Sequence, residues 1–203
     1  MPEGESNRII RLRPLHSNIE AQQQTAYIGM VIFLGSWAVV FAGLFFAFVM
    51  HRVSAAQWPP ASLMSIPFGL PVASTALIVL SSLTLSRYGR AINASTGPQV
   101  PRTWLYRTIA LGVTFCGVQT VMWYGAITSG LAPKTGHFAG HMYLMTAFHA
   151  LHVLVGLVLL ARLLPIADAG SSPRLVLNTR LTAMFWHFVG VAWVLIFLLL
   201  FVL

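Results

Sequence analysis

The stretch NTRLTAMFWHFVGVAWVLIFLLLFVL, residues 178–203, decides the fold. It carries one basic residue, Arg180, and no Asp or Glu. A helix needs about 20 mainly apolar residues to cross the hydrocarbon core of a bilayer, and it satisfies its own backbone hydrogen bonds where water is absent. The pattern therefore predicts a transmembrane helix.

Four further runs of the same kind precede this stretch. The predicted spans are residues 27–50, 69–88, 103–129, 136–164 and 178–203. Hydrophobic types make up 57% of the 203 residues and charged types 8%, whereas soluble domains carry about 25% charged residues. This composition excludes most soluble enzyme folds. We predict an all-α integral membrane protein, with a polar tail at residues 1–24 and a domain of five transmembrane helices at residues 25–203.

The net charge of +8 results from a shortage of acids, so it does not indicate a nucleic-acid partner. All four acids lie outside the apolar runs: Glu3, Glu5, Glu20 and Asp168. The twelve basic residues, except Arg52 and Lys134, lie in segments on the same side of the membrane as the N-terminus. Because cytoplasmic segments carry the excess of Lys and Arg, the predicted orientation is N-terminus in and C-terminus out, with a cytoplasmic tail.

The apolar runs lack the residues on which membrane transport usually depends. Proton and ion pathways are generally built on intramembrane Asp or Glu, and many transporters contain inverted repeats. This sequence has neither feature, so a proton pump or solute transporter acting alone is disfavoured. The single cysteine, Cys116, excludes a disulfide within the chain and a Cys-x-x-Cys-His haem attachment.

Histidines are the remaining candidates for chemistry inside the membrane. His149 and His152 are three residues apart on the fourth run, and His187 lies on the fifth. Three buried imidazoles are able to ligate haem or a metal ion. We favour polar contacts between helices instead, because the chain offers few acceptors to orient metal-bound imidazoles. His137 and His141, four residues apart, form at most a weak surface metal site.

Small residues recur at helical spacing along two of the runs. Gly29, Ser36 and Gly43 are seven residues apart on the first run, and Gly112 and Cys116 are four apart on the third. Small residues at such spacing let membrane helices approach closely. We therefore expect both sets to pack in the core of the bundle.

Four sets of residues occur in a characteristic order. They are Trp58-Pro59-Pro60 followed by Pro67, Pro71, Ser74-Thr75 and Ser81-Ser82; Leu111-Gly112 with Phe115 and Gln119; Phe148-His149-Ala150-Leu151-His152-Val153 with Gly156; and Phe185-Trp186-His187-Phe188-Val189 with Trp193. Together, in a chain with five spans, they resemble subunit III of the haem–copper terminal oxidases, the cytochrome c oxidase subunit III family, in its five-helix bacterial form. The resemblance covers nearly everything from the first span onward.

Three positions depart from the pattern of that family. The family usually has a carboxylate where this chain has Trp37, Glu where it has Met122, and Asp where it has Gly190. The family's intramembrane carboxylates are therefore replaced by uncharged residues. We expect any contribution of this chain to proton movement through those positions to be lost.

The resemblance implies a non-catalytic subunit of a respiratory cytochrome c or quinol oxidase in the bacterial cytoplasmic membrane. It implies a V-shaped bundle, with a phospholipid-filled cleft between the first two helices and the other three. It also implies direct packing on subunit I, subunit II as a further partner, and haem and copper in those partners rather than in this chain. We expect structural or lipid contacts from these residues: Ser74, Thr75, His149, His152 and His187 within the bundle or at lipid headgroups, and Arg8, Arg87, Arg90 and Arg102 at cytoplasmic headgroups.

Two alternatives stay open at this point. The missing carboxylates leave room for a subunit-III-like protein associated with nitric oxide reductase, which shares the fold. From another class, His149, His152 and His187 leave room for an intramembrane haem or metal enzyme.

Overall fold

The computed structural model describes residues 6–54, 68–94, 102–170 and 172–202, with side chains from residue 21 onward. In chain order the helices are α1 (Ser6–Ser54), α2 (Gly69–Ala94), α3 (Thr103–Thr128), α4 (His137–Asp168) and α5 (Pro173–Phe197), followed by a π-helical segment at Leu198–Val202. All five α-helices contain stretches long and apolar enough to cross a membrane. The prediction of an all-α protein with five membrane-spanning helices is confirmed.

The helices are longer than several of the predicted spans. α1 begins at Ser6, within the segment predicted as a tail, and α4 continues through Pro165 to Asp168. α5 begins at Pro173, where the Ser172 side chain accepts a hydrogen bond from the Leu175 N–H at 3.2 Å. A serine N-cap followed by proline is a strong helix start. Hydropathy marks the part of a helix that lies in the membrane, whereas capping residues set where the helix begins and ends.

The chain divides after Trp37 into two compact units. The first contains the N-terminal part of α1, in which the Phe33 and Trp37 rings meet edge to face at 6.0 Å. The second, Ala38–Leu203, contains the end of α1 and the other four helices. The motif Trp58-Pro59-Pro60 and Pro67 lie outside the described residues.

Within the second unit, α2 packs on α3 and α5, and α4 packs on the same two helices. We call α2, α3, α4 and α5 the four-helix group. The predicted division into the first two helices and the last three is therefore corrected, because α2 belongs with the four-helix group. Its buried Ser74 and Ser81 have small side chains that allow close approach. The end of α1 reaches this group through large aromatic side chains, and Phe41 lies 5.2 Å from Phe148 and 6.0 Å from Phe188 between ring centroids.

The two sets of small residues have different environments. Gly112 is buried and Cys116 half-buried in the four-helix group, as expected. Gly29, Ser36 and Gly43 are exposed, and no described atom outside α1's own backbone lies within 4 Å of a Cβ built on Gly43. For Gly43, which lies in the second unit, the prediction of packing in the core is wrong. Spacing alone places them on one face of α1, but it does not say what that face meets.

Candidate functional site

The four-helix group is centred on one aromatic side chain, Trp186 of α5, which is fully buried. Its indole N–H donates a hydrogen bond to the Ser81 hydroxyl of α2 at 3.0 Å. Its ring lies so close to Gly112 of α3 and Gly156 of α4 that an added Cβ would stand 2.8 Å and 2.7 Å from ring carbons. Trp186 therefore contacts all three neighbouring helices, and each presents a small residue to it.

Two helical turns further along α5, Trp193 forms a second junction. Its N–H donates to the Thr75 hydroxyl at 3.1 Å, and the Phe115 ring meets it edge to face at 4.9 Å. The imidazole of His149 lies 5.3 Å from its ring centroid. Both tryptophans belong to the ordered motifs of the sequence, but their spacing alone does not predict these hydrogen bonds. The available signal was the seven-residue spacing of the two indoles, which places both on one face of α5.

His149 is fully buried among these aromatic rings. Phe115 contacts it edge to face at 5.8 Å. Neither ring nitrogen has a hydrogen-bond partner among the described residues. Most buried polar groups in proteins have such a partner, and leaving one without it costs about 1–3 kcal/mol. The predicted polar contact of His149 within the bundle is therefore absent from the part of the chain that the structure describes.

The other two intramembrane histidines contact different groups. The Nδ1–H of His152 donates to the Phe148 carbonyl at 2.7 Å, four residues back on the same helix. His187 places Nε2 3.4 Å from the Ser86 hydroxyl, which links α5 to α2. No group of three His, Cys, Asp or Glu residues among the described ranges is arranged to hold a metal ion. The three imidazoles are not brought together into one ligand set there.

A cluster of three imidazoles lies at the opposite end of the bundle from most of the arginines. His51 of α1 lies 5.4 Å from His137 and stacks on His141 at 5.5 Å, between ring centroids. The Nδ1–H of His141 donates to the His137 carbonyl at 2.8 Å. The pair on α4 was predicted from the sequence, whereas the participation of His51 was not. Its position directly after the first apolar run was the available signal, since that run ends on the side where α4 begins.

The neutral residues at two of the lost acid positions lie beside α2 serines. The Ser74 hydroxyl lies 3.8 Å from the Met122 sulfur, and both side chains are buried. A Cβ built on Gly190 would stand 3.3 Å from the Ser82 hydroxyl oxygen. At these two positions the chain has close helix contacts where the family pattern has a carboxylate.

Most of the arginines lie at the end of the bundle where α2 and α4 finish and α3 and α5 begin. Arg87 lies over the Trp104 ring at 5.0 Å, and Arg107 lies over the same ring at 4.7 Å. Arg102 forms an ion pair with Asp168, joining the start of α3 to the end of α4. Arg90 is exposed, whereas the side chain of Arg8 lies outside the described residues. We call this end of the bundle the basic end.

Sequence comparison connects this architecture to known proteins. The profile of the family "Cytochrome c oxidase subunit III" matches residues 13–203. The chain belongs to the cytochrome c oxidase subunit III family. The resemblance inferred from the motifs is thereby confirmed.

Individual relatives agree with the family. Cytochrome c oxidase subunit 3 of Thermostichus vulcanus is 32% identical over 178 residues, covering 87% of this chain and 86% of the relative. The probable cytochrome c oxidase subunit 3 of Mycobacterium leprae is 30% identical over 173 residues, covering 84% of each. The subunit 3 of Synechocystis sp. is 29% identical over 177 residues, covering 86% of this chain and 74% of the relative.

Membership in the family makes this subunit III a component of an oxidase complex rather than an isolated membrane protein. It therefore associates with other oxidase subunits. It is a membrane protein whose five helices are apolar enough to span a bilayer.

Proposed function

We propose that this subunit III is a non-catalytic structural subunit of a bacterial respiratory haem–copper oxidase. It packs directly on subunit I, meets subunit II, retains phospholipid and supports stable turnover of its partners. Haem and copper belong to the partner subunits. The observation that carries this proposal is that two buried indole N–H groups form hydrogen bonds between helices. The indole N–H groups of Trp186 and Trp193 bond to Ser81 and Thr75, so these groups hold helices together.

The distribution of basic residues supports the predicted orientation. Arg87, Arg90, Arg102 and Arg180 lie at the basic end, and Lys134 lies at the other. Cytoplasmic ends of membrane proteins carry the excess of Lys and Arg. We therefore propose that the basic end faces the cytoplasm of a bacterial cell and that the chain lies in the cytoplasmic membrane.

The alternatives have less support. The curated relatives are named for cytochrome c oxidase, which favours an oxidase over a nitric oxide reductase as the partner. A haem or metal enzyme would require His149, His152 and His187 to converge, and each of them has a different environment among the described residues.

The proposal is tested by purifying the chain from its native membrane in mild detergent. The bound subunits are identified by mass spectrometry, and the absorption spectrum is recorded. We expect a polytopic haem-bearing subunit to copurify, and we expect the Soret band to follow that partner when the two are separated. Isolation only as a homo-oligomer, or a Soret band that stays with this chain, would contradict the proposal.

A further inference from the structure

The end of α1 meets the start of α4 through aromatic rings rather than through close approach of the two backbones. The Phe48 ring lies 6.1 Å from the Phe138 ring between centroids. About one turn further along α1, His51 lies 5.4 Å from His137 and stacks on His141 at 5.5 Å. At this end of the bundle the two helices thus meet through three imidazoles, which we call the histidine cluster.

The described charged groups around the histidine cluster are cations. Arg52 directly follows it on α1, and Lys134 lines a cavity of about 500 Å³ together with both α4 histidines. The acids of the sequence precede the first apolar run or lie at the basic end: Glu3, Glu5, Glu20 and Asp168. Tyr124 on α3 and Tyr143 on α4 also lie toward this end, and phenols stay neutral below about pH 9. A positive charge formed on the cluster would therefore lie beside other positive charges.

The three rings are able to exchange protons with water. His51 and His141 are half-buried, and His137 is exposed. Imidazole is the side chain whose charge normally changes between about pH 5 and pH 8. Neutral rings pack favourably on one another, whereas two positive charges in water, 5.5 Å apart like the His51 and His141 centroids, would lower the population of the closed contact about three-fold. Protonation of the cluster therefore favours separation of the two helix ends.

We propose that the histidine cluster is a pH-sensitive latch between α1 and α4. While its imidazoles are neutral, the end of α1 stays on α4. When they are protonated, their mutual repulsion and that of Arg52 and Lys134 release it. The described rings are not arranged to hold a metal ion, and the proposal assigns control of the contact to protons alone.

The test measures the distance between the two helix ends by pulsed electron paramagnetic resonance. Spin labels are attached to Ser54→Cys on α1 and Thr135→Cys before α4, both at exposed positions, in a Cys116→Ala background. The full chain is purified in mild detergent with the subunits that accompany it, at low ionic strength and with EDTA present. Distances are recorded at about pH 8 and about pH 5, the limits of the range in which imidazole normally titrates.

Two variants remove the titrating charges in different ways. His51→Phe keeps an aromatic ring in the contact but cannot be protonated. His137→Gln/His141→Gln replaces the α4 imidazoles with neutral polar groups, so the test does not depend on how well a phenyl ring packs. Arg52→Gln is the matched control one residue from His51, because it removes a charge that is present at both pH values.

We expect one short distance at about pH 8 and a separated population about ten-fold larger at about pH 5, because two pairs of charges repel at once. Salt at about 1 M should restore the short distance, since the screening length of about 3 Å is then shorter than the ring spacing. Both histidine variants should lose the pH response, and Arg52→Gln should keep it. The same distance at both pH values, a full response in His51→Phe, or a change at about pH 8 when EDTA is omitted would overturn the proposal.

The inference goes beyond the proposed function and is tested independently of it. Both labels lie on one chain, so the distance can be read whether or not a haem-bearing subunit copurifies. With the orientation proposed above, the histidine cluster faces the side of the membrane opposite the cytoplasm, and the latch responds to the pH on that side.

Discussion

The indole N–H of Trp186 bonds to the hydroxyl of Ser81 at 3.0 Å, joining two residues 105 positions apart. The same ring fills the space left by Gly112 and Gly156. One side chain thus fixes the positions of three neighbouring helices relative to α5. In hydrocarbon, close packing and hydrogen bonds replace the hydrophobic effect as the source of helix association.

The hydrogen bond between Trp186 and Ser81 should be measurable by a double-mutant cycle. Trp186→Phe, Ser81→Ala and the double variant are compared by denaturation in mixed micelles. Interhelical hydrogen bonds in membranes contribute about 0.6 kcal/mol on average, so we expect a coupling energy of about that size. Trp186→Phe alone should cost more, because the smaller ring also leaves space unfilled. A coupling energy near zero would contradict the bond.

Gly156→Ala should destabilise the bundle. The new methyl group would stand 2.7 Å from a Trp186 ring carbon, and forcing extra groups into a packed core costs about 1–3 kcal/mol. Gly117→Ala on α3 is the control, since its Cβ would have no neighbour within 4 Å. That variant should be neutral or slightly stabilising, because alanine favours helix over glycine. The free energy of unfolding in mixed micelles gives both values, and equal effects would refute the argument.

His149→Phe should leave the bundle as stable as before or stabilise it by about 1 kcal/mol. The imidazole nitrogens lack described partners in an aromatic environment, and replacing an unsatisfied polar group with an apolar ring removes its desolvation cost. His152→Phe is the control, because it loses the bond to the Phe148 carbonyl and should be destabilised. A loss of more than about 2 kcal/mol for His149→Phe would instead indicate that the imidazole is hydrogen-bonded inside the bundle.

Reporter fusions should establish the orientation of the chain. Fusions at Asn93 and Asp168 should report the cytoplasm, because they lie at the basic end. A fusion at Lys134 should report the opposite side of the membrane. A cytoplasmic signal from Lys134 would reverse the orientation, while leaving the five-helix fold unchanged.

Restoring an acid at the first departure from the family pattern should weaken assembly. Trp37→Glu removes a ring that contacts Phe33 and adds a carboxyl group to an apolar helix, where its charged form costs about 3 kcal/mol. Trp37→Gln introduces a side chain of the same shape as glutamate but without its charge. Comparing the two variants therefore separates the loss of the ring from the effect of the carboxyl group. We expect less copurified partner for both variants, a larger loss for Trp37→Glu, and no gain in proton uptake.

A hydrophobic carbodiimide provides a second readout for the same variant. It reacts with protonated carboxyl groups where water is scarce, and the apolar runs of the native chain contain no Asp or Glu. The native chain should therefore remain unlabelled within those runs, and Trp37→Glu should become labelled. A gain in partner turnover or proton pumping by Trp37→Glu, with assembly intact, would show that this position still serves proton movement.

The number and approximate position of the membrane spans could be predicted because they depend on local composition. An apolar run such as residues 178–203 has no alternative in hydrocarbon but a helix. The ends of the helices were harder to predict, since α1 extends to Ser6 and α5 begins directly after its Ser172 cap. These ends lie in polar segments, where hydropathy carries no information about helix structure.

The sequence by itself determined the class of the protein, its five helices and, through ordered motifs around His149, His187 and Trp193, its family. Composition and short-range order suffice for these properties, because each span meets the membrane independently of the others. The family motifs can also be recognised without the tertiary structure, since they depend only on the order and spacing of nearby residues.

Only the tertiary structure decided which side chains meet. In that structure α2 packs on α3 and α5. Gly43 is exposed, whereas Gly112 lies against Trp186. His51 stacks on His141, one of the two histidines on α4. Helix periodicity gives the face on which a residue lies, but not the helix that this face contacts. That choice depends on how small and large side chains from distant parts of the chain fit together.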